Sequence, residues 1–331
     1  MAGTAQRNGI KLAQDEINAS RMLGNMRLEV IVEDDGADRE RAAAVFHKFI
    51  ENSHVVGILG PTLSDTALAV DPIAQQVGVP VLAISNAAGG ITEIGDFIFR
   101  DCLNESQLIP HTVKLVSSRL RLRTAALLYT DTDANRSGSR GFKKALQDAR
   151  VAIVSEQAFA PDQGDFKAHL AEIVSSSPDA LFVTAPSHAA AQVLIQARRY
   201  GLEKVPIVGS NAFNSAAVLR VAGDAAEGLI VGSAWSAANP SPRNQQFIQS
   251  YRARYNAEPD QFAAQAYTGV YLMATALRDS GSPTDSRGLR DALARIRRLD
   301  TPLGAFSFTH DRQADYAPMV QIVRNGRLEL F

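Results

Sequence analysis

Apolar positions along the chain recur at two alternating periods. Over residues 7–19 they follow the three-to-four spacing of a helix buried on one face, and over 27–33 they alternate as in a half-buried strand. The succession continues with helix 39–52, strand 55–59, helix 63–77 and strand 80–85. It restarts with strand 124–129, helix 138–148, strand 151–157, helix 166–176, strand 180–184, helix 189–200 and strand 206–209. Such alternation predicts an α/β fold of parallel sheets with helices on both faces. The restart can be read in the letters. The apolar run closing on Gly60, Pro61, Thr62, Leu63 and Ser64, then a helix, Gly78, Pro80 and a strand ending at Ser85, has a counterpart. That counterpart closes on Ala185, Pro186 and Ser187, followed by a helix, Gly201, Pro206 and a strand ending at Ser210. Two similar Rossmann-like lobes facing each other are predicted. The pattern breaks at the Pro/Ser-rich stretch 234–242, resumes as helices at 243–255, 260–280 and 286–297, and ends in strands with an Asn325-Gly326 turn.

Composition narrows the function classes. With 331 residues, 46% hydrophobic, the chain is long enough for two cores. Its 34 basic and 35 acidic side chains give a net charge of -1, which offers no clustered cations for a nucleic-acid backbone. Apolar stretches fall well short of the ~20 residues of a membrane helix. The single cysteine, Cys102, excludes an internal disulfide and a Cys-rich metal site. The first residues lack the apolar core of a signal peptide, so the chain reads either as cytosolic or as one whose leader is absent.

In open parallel sheets ligands collect beyond the carboxyl ends of the strands, which directs attention to loops 60–65, 85–92, 130–138, 185–189 and 209–214. The first places hydroxyls and backbone N–H groups at the start of a helix, a site for a carboxylate, although Ser64 or Thr66 merely capping its own helix is the commoner arrangement. Loop 85–90, Ser85-Asn86-Ala87-Ala88-Gly89-Gly90, is small enough for close backbone approach, or a plain turn. Asp131 and Asp133 lack a third ligand nearby, so no metal is expected. Trp235, Phe213, Phe262 and Tyr267 are candidate apolar walls, with core packing the better reading for Tyr267. Motifs for nucleophilic, zinc or nucleotide chemistry are lacking, and neither cofactor nor catalysis is expected.

Taken together, segments 9–18, 28–35, 55–64, 72–80, 84–92, 97–100, 196–202 and 222–228 resemble the periplasmic binding proteins of the leucine/isoleucine/valine type, receptors of branched-chain amino acid ABC importers. The resemblance spans essentially the whole chain in the family's order. It implies lobes of residues 1–104 with 238–312 and 105–237 with 313–331, three crossovers, a ligand trapped between lobes by hinge closure, and permease subunits as partners. A monomer located in the periplasm, or lipid-anchored at the outer face, is the matching expectation. A sensory ligand-binding domain of the same fold is the alternative, and an α/β enzyme the competing class.

By this resemblance Ser64 holds the ligand carboxylate, and Ser85, Asn86, Ala87, Ala88 and Gly89 form the segment holding the other pole. Pro186, Ser187, Trp235 and Phe262 complete the expected site. Asn211 falls where amino-acid receptors often carry an acid for the α-ammonium, Ala134 where many place an aromatic ring, and Ala87 or Gly89 where a threonine stands. A buried ammonium without a carboxylate is costly, so these departures favour a carboxylate lacking the ammonium, or an amide, unless Asp65 or Asp133 substitutes. Family members also begin with a strand interior to the first sheet that this chain lacks. The expectation is a shortened chain and, if the slot stays empty, a fragile first lobe.

Overall fold

The computed structural model describes every residue except Met1, His54 and Pro283, and the side chains of all others except Ala2, Asn52, Ala134 and Ala216. The chain divides into two compact units, residues 1–104 with 239–317 and residues 105–238 with 318–331. In chain order the first unit opens with helices α1 (Ala2–Ala19) and α2 (Arg39–His47), strand β1 (Ile58–Leu59), helix α3 (Ser64–Val77), and strands β2 (Val81–Ala83) and β3 (Ile98–Arg100). The second unit follows with α4 (Glu105–Leu120), β4 (Thr124–Thr130), α5 (Asp133–Asp148), β5 (Ala152–Phe159) and α6 (Lys167–Ser175). It continues with β6 (Ala180–Thr184), α7 (Ser187–Arg199), β7 (Ile207–Gly209), α8 (Ala216–Ala222) and β8 (Leu229–Ser233). The first unit then resumes with α9 (Pro242–Tyr255), α10 (Gln261–Ser280), α11 (Ser286–Ala294), β9 (Leu299–Thr301), β10 (Gly304–Phe308) and β11 (Ala314–Asp315). Strands β12 (Met319–Arg324) and β13 (Arg327–Leu330) return to the second.

The second unit carries one seven-stranded sheet in the order β13-β12-β8-β7-β6-β4-β5. Strands β4 to β8 run parallel, and β12 closes the sheet antiparallel to β8 and β13. Side chains alternate between two buried faces. Leu127, Phe182, Val208 and Ile230 pack with Val113, Val116 and Phe142, whereas Leu128, Leu181 and Val183 pack with Phe166, Leu170 and Leu194. Double burial is why these strands read as continuous apolar runs. The chain leaves β4 toward β5 on one side and continues through β6, β7 and β8 on the other. This makes the carboxyl ends of β4 and β6 a topological switch point, where open sheets bind ligands.

In the first unit, β1, β2 and β3 form a short parallel sheet over a cluster that includes Ile58, Val70, Val81 and Ile98. Helix α3 stops at Gly78 in the left-handed conformation, φ 78°, which a side chain would oppose. Helix α10 starts at Asp260, whose side chain accepts from the Ala263 N–H at 2.9 Å, and runs almost wholly buried. Strand β11 pairs with β10, Ala314 opposite Phe308, which holds that segment in the first unit.

One expected strand is absent. Residues 27–33 alternate in sequence but lie outside the sheet, with Ile31 and Val32 exposed. Their backbone is held by side-chain amides of α1. Asn18 Oδ1 accepts from Leu28 N at 2.8 Å, Asn18 Nδ2 donates to Leu28 O at 2.9 Å, and Gln14 Oε1 accepts from Val30 N at 3.0 Å. Alternation specifies a strand only when a neighbouring strand offers its ladder, and here the amides supply the partners instead.

Candidate functional site

Each unit gathers polar groups at the carboxyl ends of its strands. In the first, β1 leads into α3 and β2 leads into loop 84–91, and the two connections are tied together. The Ala88 N–H donates to Ser64 Oγ at 3.3 Å. Ser85 Oγ donates to Thr62 O at 2.7 Å and accepts from Gln6 Nε2 at 3.0 Å, and Thr62 Oγ1 donates to Gln6 Oε1 at 2.7 Å. Helix α3 has no side-chain cap: Leu63 occupies the cap position, and the Ser64 hydroxyl serves the neighbouring loop instead. The uncapped first turn leaves N–H groups and the positive end of the helix dipole available to an anion.

A buried arginine fixes the second loop from below. Arg100 donates from Nη1 to the carbonyls of Asn86, at 2.9 Å, and Ala88, and from Nε to Gln313 Oε1 at 2.8 Å. The Asn86 side chain is wholly buried with neither amide atom hydrogen-bonded among the described residues. Ala87 and Ala88 are half-buried, and Gly89 is exposed. Of the expected first-unit residues the structure thus brings Ser64, Ser85 and 86–88 into one hydrogen-bonded group. Asp65 is exposed on the first turn of α3, and Phe262 is half-buried as the second residue of α10.

In the second unit, Thr132 caps α5. The Asp133 carboxylate accepts from Arg136 at 2.6 Å, and the same guanidinium holds Asp131. Both aspartates are exposed and occupied by that cation, which removes Asp133 as a buried ammonium partner. Ala134 lies in the first turn of α5, its side chain outside those described. Pro186 precedes α7, and Ser187 Oγ donates to Ala212 O at 3.2 Å. Asn211 begins the turn after β7, with its Oδ1 buried and without a hydrogen-bond partner among the described residues. Trp235 is buried beyond β8, its N–H donating to Ser233 Oγ at 3.2 Å.

Sequence reading missed Glu105. It is the first residue of α4, where an acid reads as a complement to the helix dipole. It is half-buried, with its Oε2 beside Gly138, and partial desolvation raises its pKa above the ordinary range. Among the described residues there is no group of three or more His, Cys, Asp or Glu side chains placed to hold a metal, and no helix is long and apolar enough to cross a membrane.

A family profile described as "Periplasmic binding protein" matches residues 1–327. The leucine-, isoleucine-, valine-, threonine- and alanine-binding protein of Pseudomonas aeruginosa is 24% identical over 307 residues, covering 92% of this chain and 81% of that protein. A branched-chain amino acid transporter substrate binding protein from Streptococcus pneumoniae, solved with isoleucine, superposes with a TM-score of 0.86 at 29% identity, covering 100% of this chain and 94% of that one. An ABC transporter solute binding protein from Rhodopseudomonas palustris, solved with 3,4-dihydroxybenzoic acid, gives 0.84 at 25% identity, covering 100% and 92%.

Proposed function

The chain belongs to the periplasmic binding protein family, and from that premise we propose that it is the solute receptor of an ABC importer, taking a small carboxylate-bearing solute and catalysing no reaction. The observation that carries the reading is the uncapped start of α3, where Ser64 is tied to loop 85–88. A carboxylate set there meets free N–H groups, the helix dipole and the Ser64 hydroxyl, without a cation having to be buried. Relatives whose names specify isoleucine and 3,4-dihydroxybenzoic acid share the carboxylate and differ in everything else.

Ser64 and the 85–89 segment are accordingly assigned to the carboxylate side. Pro186, Ser187, Asn211 and Trp235 of the second unit, with Phe262 of the first, are assigned to the remainder of the solute. A division into two lobes, with residues 313–317 going with the first and not the second, solute enclosure by lobe closure, permease subunits as partners, and a monomer in the periplasm or anchored at the outer face are carried as parts of the same proposal.

A thermal-shift panel of amino acids, aliphatic acids, aromatic acids and their amides tests it. A bound acid raises the melting temperature with the logarithm of its concentration, and the matching amide does not. Ser64→Ala is expected to weaken binding of the best acid by about 10-fold to 100-fold, the contribution of a hydrogen bond to a charged group, as read by calorimetric titration. If no acid in the panel shifts the melting temperature, the proposal falls.

A further inference from the structure

Arg100 holds a buried positive charge that no acid compensates. The residue is 1% exposed, and a guanidinium keeps its proton even when buried. Its hydrogen-bond partners among the described residues are all neutral: the carbonyls of Asn86 and Ala88, and Gln313 Oε1, which accepts from both Nε and Nη2. The adjoining Asp101 and Cys102 are sealed from water, and burial raises both pKa values, so neither supplies a negative charge. Glu93, whose charge also acts on the guanidinium, is exposed and makes no ion pair with it. A charge buried without a counter-charge is costly.

The same hydrogen bonds orient the loop. Peptide groups 86–87 and 88–89 are trans, so each carries its N–H opposite the carbonyl that Arg100 holds. The Ala87 and Gly89 N–H groups therefore point away from the guanidinium, and neither has a hydrogen-bond partner among the described residues. The Ala88 N–H between them is spent on Ser64 Oγ. Two free donors thus stand on the far side of the loop from a buried cation, which polarises them toward an anion. The cation is itself fixed in place. Its backbone N–H donates to Arg312 O at 3.0 Å, and Gln313 Nε2 donates to Thr92 Oγ1.

We infer that Arg100 is a positioning residue for the solute's negative charge: it turns the Ala87 and Gly89 N–H groups toward the solute and sets an unpaired positive charge behind them. Preference for an acid over its uncharged amide then depends on a guanidinium that never touches the solute and acts across one peptide group. The inference rests on the solute-binding reading above and adds the source of its charge recognition.

Leucine and 3,4-dihydroxybenzoate, each against its primary amide, test this by calorimetric titration. The native protein is expected to bind the acid tighter in at least one pair. Arg100→Gln should cut that preference by about 10-fold, the scale of a unit charge acting across a few ångströms of protein. Arg100→Lys should keep part of it, and Arg278→Gln, exposed on α10, should leave it unchanged. Gln313→Glu keeps an acceptor for Nε and Nη2 while supplying the missing counter-charge, so it should fold as the parent does and lose the preference to a similar extent. A preference that survives in folded Gln313→Glu, or equal losses of acid and amide affinity in both variants, reduces Arg100 to a support for the loop and overturns the inference with solute binding intact. Native protein that binds neither acid also overturns it, and binding of other acids in the wider panel then still supports the solute receptor. Should Arg100→Gln fail to fold, Gln313→Glu decides the matter alone.

Discussion

Asp71→Asn is expected to make the protein more stable than its parent at alkaline pH and to flatten the fall of stability between pH 4 and pH 8. Asp71 lies on the face of α3 that also presents Ala67, Val70 and Ala74 to the first unit's core. It is fully buried, with neither carboxylate oxygen hydrogen-bonded among the described residues, and burial pushes its pKa up to about 8 from 3.8. The folded state therefore holds a proton that the unfolded chain releases near pH 4. Its stability contribution is complete below that pH and is lost as pH rises through 8. The loss approaches about 5 kcal/mol at pH 8 and above, at roughly 1.4 kcal/mol per pKa unit. Asp101, also buried and without a hydrogen-bond partner among the described residues, acts in the same direction and leaves the variant a residual slope. Carboxylates such as Asp96 and Asp179, whose pKa values are lowered by hydrogen bonds, act in the opposite direction, so the informative quantity is the difference between variant and parent. Urea unfolding at pH 5 and pH 8.5 measures it. Equal slopes in the two proteins would falsify the account.

Gly9→Ala is expected to destabilise the first unit by about 3 kcal/mol, the upper part of the usual range for an added core methyl. At Gly9 helix α1 meets the backbone of α10. A Cβ there would overlap the Ala263 carbonyl oxygen and lie 3.1 Å from its carbon and 3.2 Å from Ala263 Cα. Those are backbone atoms of a helix buried along nearly its whole length, so relief requires moving α10 against the core. A melting temperature lower by about 5–10 °C follows. Gly3 on the same helix has nothing within 4 Å of its Cβ position, so Gly3→Ala should gain up to about 1 kcal/mol from helix propensity alone. If both variants melt alike, close contact with α10 is not what holds position 9 to glycine.

Both predictions concern residues that carried no signal in the letters. A glycine inside a helical pattern reads only as a propensity penalty, and an aspartate beside Pro72 reads as part of a solvated face. What periodicity does convey is burial averaged over a face. It was enough for α3, β4 and β6, whose neighbours are largely supplied by elements close to them in sequence, and for α10, although its main partner is the distant α1. It failed over residues 27–33, because a strand needs hydrogen-bonding partners, and Gln14 and Asn18 of α1 take that role here. Within the candidate site, Ser64 and the 85–89 loop stood out in the sequence as a strand-to-helix turn and a run of small residues, with helix capping and a plain turn as competing readings, and the structure joins them through the Ala88 N–H and Ser64 Oγ. The Ser85 hydroxyl is nevertheless spent internally, on Thr62 and Gln6, a pairing across long sequence separations that no local motif announces.

The sequence by itself determined the α/β class, the internal repeat, the strand ends where polar groups collect, and membership of a family confirmed by the match over residues 1–327. These follow from short-range periodicity and from turn chemistry, which act between near neighbours. Only the tertiary structure decided which polar groups are left without partners. Asp133 is taken by Arg136, Asp65 is open to water, and Asp71 is sealed in the first unit's core. A carboxylate's charge state and availability depend on the dielectric and the donors that distant segments bring to it, and those are set by packing.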